Sequence, residues 1–223
     1  MKLLAIETAT DACSAALSID GEILERFEIA PRAHTELILP MIDELMAEAG
    51  LAVSQLDAMA FGRGPGAFTG VRIAVGVTQG IAFGADLPVV PVSTLAALAQ
   101  GADNNNVLAA LDARMDEVYW GAYQRNAAGL VELVGEECVS APGDVPLPEG
   151  EGWQGAGAGW SAYEDTLPAR CARQVALWDG SGFPHARDVV LLGIAGYEAG
   201  QGVVAEQALP VYLRDKVTWK KVR

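Results

Sequence analysis

Histidine is nearly absent from this chain: 223 residues hold only His34 and His185. Neither has a second histidine nearby, so a histidine-rich metal site cannot be assembled from this chain alone. Cysteine is scarce as well. Cys13, Cys138 and Cys171 lie far apart, with neither an even-numbered set nor a Cys-x-x-Cys pair, which excludes a disulfide framework or zinc knuckle and leaves reduced core thiols. Basic residues are outnumbered, with 15 Lys and Arg against 29 Asp and Glu, a net charge of -14. Such a surface disfavours direct binding of polyanionic nucleic acid, whose affinity comes mainly from basic side chains on phosphates. The exception is local: Arg214, Lys216, Lys220, Lys221 and Arg223 crowd the last ten positions, a tail suited to an RNA or an acidic partner, or simply to solvent. No segment approaches the ~20 apolar residues of a membrane span. The opening run is broken by Glu7 and Asp11 and lacks the apolar stretch of a signal peptide. The expectation is a soluble, cytoplasmic protein.

What is present is an ordinary globular composition, 51% apolar and 20% charged, enough for one large domain or two small ones. Leu3 to Ile6 and Cys13 to Ile19 have strand patterns, and Asp20-Gly21 is a hairpin signal leading into a third strand, Glu22 to Ile29. A helical period follows from Thr35 to Ala49 and stops at Gly50; then come a strand at Ala58 to Phe61, a glycine-rich turn, a helix from Thr69 to Ala85, a strand at Pro88 to Val92, and a helix capped by Ser93 or Thr94. The order is βββαβαβα. It restarts at Val107 with strands at Leu108 to Leu111, Val118 to Tyr123 and Leu130 to Val139, a turn at Asn126 to Gly129, a short helix around Ser161 to Leu167 and a longer one from Arg187 to Ala199. These elements predict an α/β fold of two ribonuclease H-like, actin-like lobes, 1–102 and 103–223, the second smaller and degenerate and ending in the basic tail. That arrangement binds nucleotide between its lobes, so the cleft residues decide what remains of such a site.

Glu7, Thr8, Thr10 and Asp11 fall at the first hairpin, where this fold places a magnesium carboxylate and phosphate-binding amides, but the glycine turn that lets backbone approach a phosphate is missing. Asp112 holds the mirror position and fits either a second carboxylate or a turn aspartate. Gly155 and Gly157 precede a helix, where bare backbone suits an adenine ring or phosphate, without dinucleotide-fingerprint spacing. Gly64 and Gly66 belong to Gly62-Arg63-Gly64-Pro65-Gly66-Ala67-Phe68-Thr69-Gly70-Val71-Arg72, either an anion site at a helix start or a tight strand-to-helix turn. Magnesium chemistry at Glu7, Asp11 and Asp112 would make the chain a small actin-like ATPase or kinase.

The helix after that loop carries Gly76, Gly80 and Gly84 on one face. Each costs roughly 1 kcal/mol against alanine in a helix interior, which a closely approaching helix would offset, in a monomer by default one of the chain's own. The helix before it shows Leu37, Ile38, Leu39, Met41, Ile42, Leu45 and Met46 over about half its circumference, wider than the ~100° stripe a helix turns to its own sheet. Two apolar contacts are implied, which places Leu37, Ile38, Met41, Ile42, Leu45 and the three glycines on a face for a partner or a second copy.

In Leu4-Ala5-Ile6-Glu7-Thr8-Ala9-Thr10, in His34-Thr35-Glu36 leading to Leu39-Pro40-Met41-Ile42, and above all in the Gly62 to Arg72 loop, the chain resembles the TsaB (YeaZ) family. Asp112-Ala113-Arg114-Met115-Asp116-Glu117-Val118-Tyr119 and Pro210-Val211-Tyr212-Leu213-Arg214-Asp215 match too, while 140–183 does not stand out. The resemblance implies a non-catalytic subunit that pairs through its first-lobe helices with a TsaD-like transferase. TsaC-type enzymes supply threonylcarbamoyl-adenylate, the transferase places the acyl group on the adenosine next to the anticodon of tRNA, and a TsaE-like ATPase joins the complex. It also implies a homodimer, contact with tRNA mainly through partners, and no firmly bound cofactor, with at most weak nucleotide binding at the lobe or partner interface. TsaD carries paired histidine ligands after the strand matching Val89 to Val92; here that stretch is Ser93-Thr94-Leu95-Ala96-Ala97-Leu98. His34-Thr35-Glu36 lacks the spacing of a zinc-protease helix, so a peptidase has no support.

Overall fold

The computed structural model describes residues 1–214; Lys216, Lys220, Lys221 and Arg223 of the basic tail lie outside the described residues. Apolar runs near the start make β1 (Lys2–Glu7) and β2 (Ala12–Ile19), which the Asp20-Gly21 turn joins to β3 (Glu22–Ile29). Asp20 takes φ 51° and Gly21 φ 99°, the left-handed pair a two-residue hairpin demands. α1 (His34–Ala49) stops at Gly50, whose φ of 62° lets its N–H reach back to the Ala47 carbonyl. β4 (Ala58–Gly62), α2 (Phe68–Ala85), β5 (Val89–Val92) and α3 (Thr94–Gln100) complete the first run. Ser93 caps α3, its hydroxyl accepting from Leu95 and Ala96 N–H.

The second run has β6 (Asn106–Arg114), β7 (Glu117–Arg125) and β8 (Val131–Ser140), then β9 (Trp153–Ala156), α4 (Ala158–Ala162), α5 (Leu167–Arg170), β10 (Val175–Asp179) and α6 (Ala186–Glu198). The first sheet has the order β3-β2-β1-β4-β5 and the second β8-β7-β6-β9-β10, which is the same order. The pairing senses repeat as well: antiparallel across the first three strands, parallel across the last two junctions. Two actin-like lobes are therefore present. The second is reduced, because the segment between β8 and β9 holds a 3-10 turn, Pro142–Asp144, where the first lobe has α1.

Two elements depart from the sequence reading. β9 and β10 fall in stretches that gave no strand signal, and the single helix expected at Ser161 to Leu167 is the pair α4 and α5. More consequential is where two helices go. α3 follows the first sheet yet packs on β6, β7 and β8, whereas α6 follows the second sheet yet lies across all five strands of the first, and the two helices touch. A division at residue 103 thus separates the sheets but not the packing units. Ala186, Val189 and Val190 of α6 are fully buried against Leu3, Ala5, Ala58, Ala60 and Val90. The approach is so close that a Cβ on Gly193 would lie 2.6 Å from the Ala60 Cβ.

α2 is the one element, among the described residues, whose length and composition suffice to cross a membrane, an exception to the expectation that no segment comes near. Its inner residues Val71, Ala74, Val75, Thr78 and Ala82 are buried over β4 and β1, so crossing a bilayer would require it to leave the sheet.

Candidate functional site

Glu7 ends β1 and is 1% exposed. Its Oε1 accepts from Ala9 N–H at 2.7 Å and its Oε2 from the Thr94 hydroxyl at 2.9 Å. Thr8 donates its hydroxyl to the Gly70 carbonyl at 2.7 Å, and Ala67 N–H donates to the Ala9 carbonyl at 2.7 Å. Thr10 accepts weakly from Ala12 N–H at 3.3 Å, and the Thr10 carbonyl meets His34 Nε2 at 2.8 Å. The glycine loop is pressed against this turn: a Cβ on Gly62 would sit 1.9 Å from Glu7 Oε2, on Gly66 2.4 Å from the Ala9 carbonyl oxygen, and on Gly70 2.0 Å from the Thr8 carbonyl oxygen. Gly64, at φ 92°, receives the Thr94 N–H on its carbonyl. The loop's glycines therefore serve close approach of protein to protein.

Burial pushes the Glu7 carboxyl up to about 7, against the hydrogen bonds that favour its anion. An acid whose folded pKa lies above its unfolded value stabilises the fold fully below that unfolded value, near 4.5, and the contribution is lost as pH rises through about 7. Glu7→Gln should remove this pH dependence, on the order of 3 kcal/mol between pH 5 and pH 8. Denaturant titrations of both chains across that range test it; equal slopes would assign the loss elsewhere.

Asp112 is a turn aspartate. Its Oδ1 accepts from Arg114 N–H at 2.8 Å and its Oδ2 pairs with the Arg114 guanidinium at 2.9 Å, under a hairpin in which Arg114, Met115 and Asp116 all have positive φ. The structure gives Asp112 and Glu7 separate partners and no shared one. Gly155 is filled from above by the Trp160 ring, 2.4 Å from a built Cβ, and Gly157 by Leu98 and the Ala110 carbonyl at 2.4 and 2.5 Å. These glycines admit close packing of the chain on itself. Depressions at Asp103–Asn105 with Gln154, and under Trp120 beside Pro146–Glu149, involve none of the candidate residues. Among the described residues no group of three His, Cys, Asp or Glu stands close enough to hold a metal.

On the helical face the two helices differ. Ile38, Met41, Ile42 and Leu45 are 7% exposed or less, and Leu37 is half-buried, because α1 packs on β2 and β3 with one part of its apolar arc and on α2 with another. The arc thus makes two internal contacts, and of its members Leu39 stays 50% exposed. The glycines of α2 behave differently: a Cβ on Gly76, Gly80 or Gly84 meets nothing within 4 Å. Around them Phe68 is 57% and Phe83 72% exposed.

Sequence reasoning missed a polar centre between the lobes. Glu137 of β8 accepts from the Ser93 hydroxyl at the end of β5 and from the Tyr123 hydroxyl of β7, and its other oxygen lies 3.9 Å from Arg63. It missed the strap that follows α6 as well. Val211 N–H donates to the Arg63 carbonyl, Tyr212 accepts from Arg72, whose guanidinium lies 3.5 Å over the Phe68 ring, and Arg214 pairs with Glu117 of the second lobe. The conspicuous Pro210 to Arg214 motif thus joins the loop of one lobe to the hairpin of the other.

A family model for TsaD, tRNA N6-adenosine threonylcarbamoyltransferase, matches residues 27–155. The tRNA threonylcarbamoyladenosine biosynthesis protein TsaB of Escherichia coli is 44% identical, over 100% of this chain and 98% of its own length. The chain belongs to the TsaB family. The Haemophilus influenzae TsaB is 41% identical over 100% of this chain and 97% of its own length. The solved structure of YeaZ from Pseudomonas aeruginosa is 49% identical and superposes with a TM-score of 0.90, covering 95% of this chain and 99% of that one. Another solved structure from that organism is described as similar to a peptidase, YeaZ. In the TsaB-family chain here, His34 Nε2 is engaged by the Thr10 and Ala12 carbonyls.

Proposed function

We propose that this chain is a non-catalytic subunit of the machinery that places a threonylcarbamoyl group on the adenosine next to the anticodon of tRNA, and that it activates a TsaD-like transferase by docking through the outer face of α2. The observation that carries the reading is the open glycine stripe. Gly76, Gly80 and Gly84 together cost the helix about 3 kcal/mol of propensity, with no element among the described residues close enough to offset it. Another helix laid over that face would offset it by contact, and the exposed Phe68 and Phe83 supply apolar area to either side. Family membership indicates the partner, and the same face serves a homodimer when that partner is absent.

The cleft supports the non-catalytic part. The turn that would hold a phosphate has its hydroxyl and carbonyl groups engaged by the glycine loop, and Asp112 is held by Arg114. We take the protein to be cytoplasmic, without a firmly bound cofactor, to join a TsaE-like ATPase within a larger complex, and to leave tRNA contact mainly to partners, as a net charge of -14 favours. An ATPase or kinase would instead bind Mg-ATP tightly alone and lose turnover on Asp112→Ala.

Substitution at the stripe tests the docking. Replacing Gly76, Gly80 and Gly84 by Ala should raise the melting temperature by several degrees, at about 1 kcal/mol each, while weakening association. Gly80→Glu should fold normally and abolish it. Size-exclusion and calorimetric titration against the TsaD-like partner read both outcomes; association of Gly80→Glu at the wild-type level would sink the proposal. Met41→Glu is no substitute, because Met41 is buried and its charge would unfold the monomer.

A further inference from the structure

The parallel strands β1, β4 and β5 lie side by side, and their carboxyl ends carry Glu7, then Arg63, then Ser93 and Thr94. Open α/β sheets take their ligands in the crevice outside such ends. Here the crevice already holds a carboxylate, that of Glu137, whose side chain is only 8% exposed. It arrives from the other lobe by a local distortion. Trp120 pairs with Cys138 and Ala122 with Val134, so Gly135, Glu136 and Glu137 all stand opposite Gly121, and Gly135 takes φ 83°. A bulge of this kind re-aims side chains.

Three donors surround Glu137. The Ser93 oxygen accepts two backbone N–H groups of α3, so its own proton is left for an outside acceptor. Tyr123 is 1% exposed and turns its hydroxyl to the same carboxylate oxygen. Arg63 faces the second oxygen, and its buried Nε has no acceptor. Two hydroxyls and a guanidinium thus converge on one carboxylate and one further donor, the Arg63 Nε, is left without an acceptor, which is the chemistry of an anion pocket. We infer that Arg63, Ser93 and Tyr123 form a carboxylate-binding pocket whose resident ligand is the chain's own Glu137, and that this internal ligand holds the two lobes together where a bound molecule would otherwise do so. The occupant class is a small carboxylate.

Chemical rescue tests this on the full chain. Glu137→Ala should lower the melting temperature and speed amide exchange around residues 62–64 and 93–96 about tenfold or more, as loss of hydrogen bonds to a charged acceptor implies. Acetate or formate in excess should restore both, chloride at equal ionic strength should not, and neither should act on the wild type. Adding Arg63→Met should abolish the rescue. If Glu137→Ala does not fold, acetate present during refolding must recover it, and its failure to do so counts against the pocket. Glu137→Gln, which keeps the volume, should show the faster exchange without responding to acetate. Unchanged exchange in Glu137→Ala, or acetate no better than chloride, overturns the inference.

Discussion

A chain ending after residue 102 is expected not to fold, although it contains every strand of the first sheet. The reason is the exchange of helices. Leu3, Ala5, Ala58, Ala60 and Val90 face α6, whose Ala186, Val189 and Val190 are fully buried on them, and α6 lies beyond the cut. The fragment would also leave α3 without β6, β7 and β8, so Leu95 and Leu98, now buried against Val107, Ala109 and Leu111, would meet water. Apolar burial is the main favourable term in folding, and a domain keeps only a small surplus over its conformational entropy. Calorimetry of the fragment should show no cooperative transition and proteolysis should be fast. A sharp transition would mean that the first lobe is autonomous and that α6 only decorates it. Val189→Asp in the intact chain is the milder version, since it buries an unpaired charge in the same layer.

Gly70→Ala is the second large effect. Its Cβ would lie 2.0 Å from the Thr8 carbonyl oxygen, which is backbone and cannot swing aside, and it would part the Thr8 hydroxyl from the Gly70 carbonyl. The expected loss is at or above the ~1–3 kcal/mol of ordinary overpacking, or roughly 5–10 °C in melting temperature for a chain of this size. Gly76→Ala, six residues on in the same helix, meets open space and should have the opposite sign. A thermal-denaturation comparison of the two separates glycine for packing from glycine for docking. If both destabilise equally, the outer face of α2 is covered in the free monomer and the docking argument loses its basis.

The contrast between those glycines shows where the sequence was legible. Local chemistry was visible: Asp20-Gly21 as a hairpin, Gly50 as a helix stop, a cap at Ser93 or Thr94 that the structure gives to Ser93, and the apolar runs of β1, β4 and β5. β9 and β10 were hidden because the first is four residues around a glycine and the second is an edge strand whose Leu177 is 76% exposed, so neither carries a one-faced pattern. A helical period shows that α6 has an apolar side but cannot say which sheet receives it. In the same way the wide arc of α1 implies a second contact, which the sequence assigns to a partner and the packing gives to α2. At the site, the Gly62 to Arg72 loop stood out by its glycines, whereas Glu137 did not. Its partners Ser93 and Arg63 lie 44 and 74 positions away, and nothing local distinguishes it from Glu136.

The most direct measurement is threonylcarbamoyl transfer to tRNA in a reconstituted mixture of TsaC-, TsaD- and TsaE-type proteins, run without this chain, with it, and with its Gly80→Glu and Asp112→Ala forms. The account predicts transfer that requires the chain, survives Asp112→Ala and is lost with Gly80→Glu. Transfer that proceeds without the chain, or that fails on Asp112→Ala while persisting with Gly80→Glu, would contradict it.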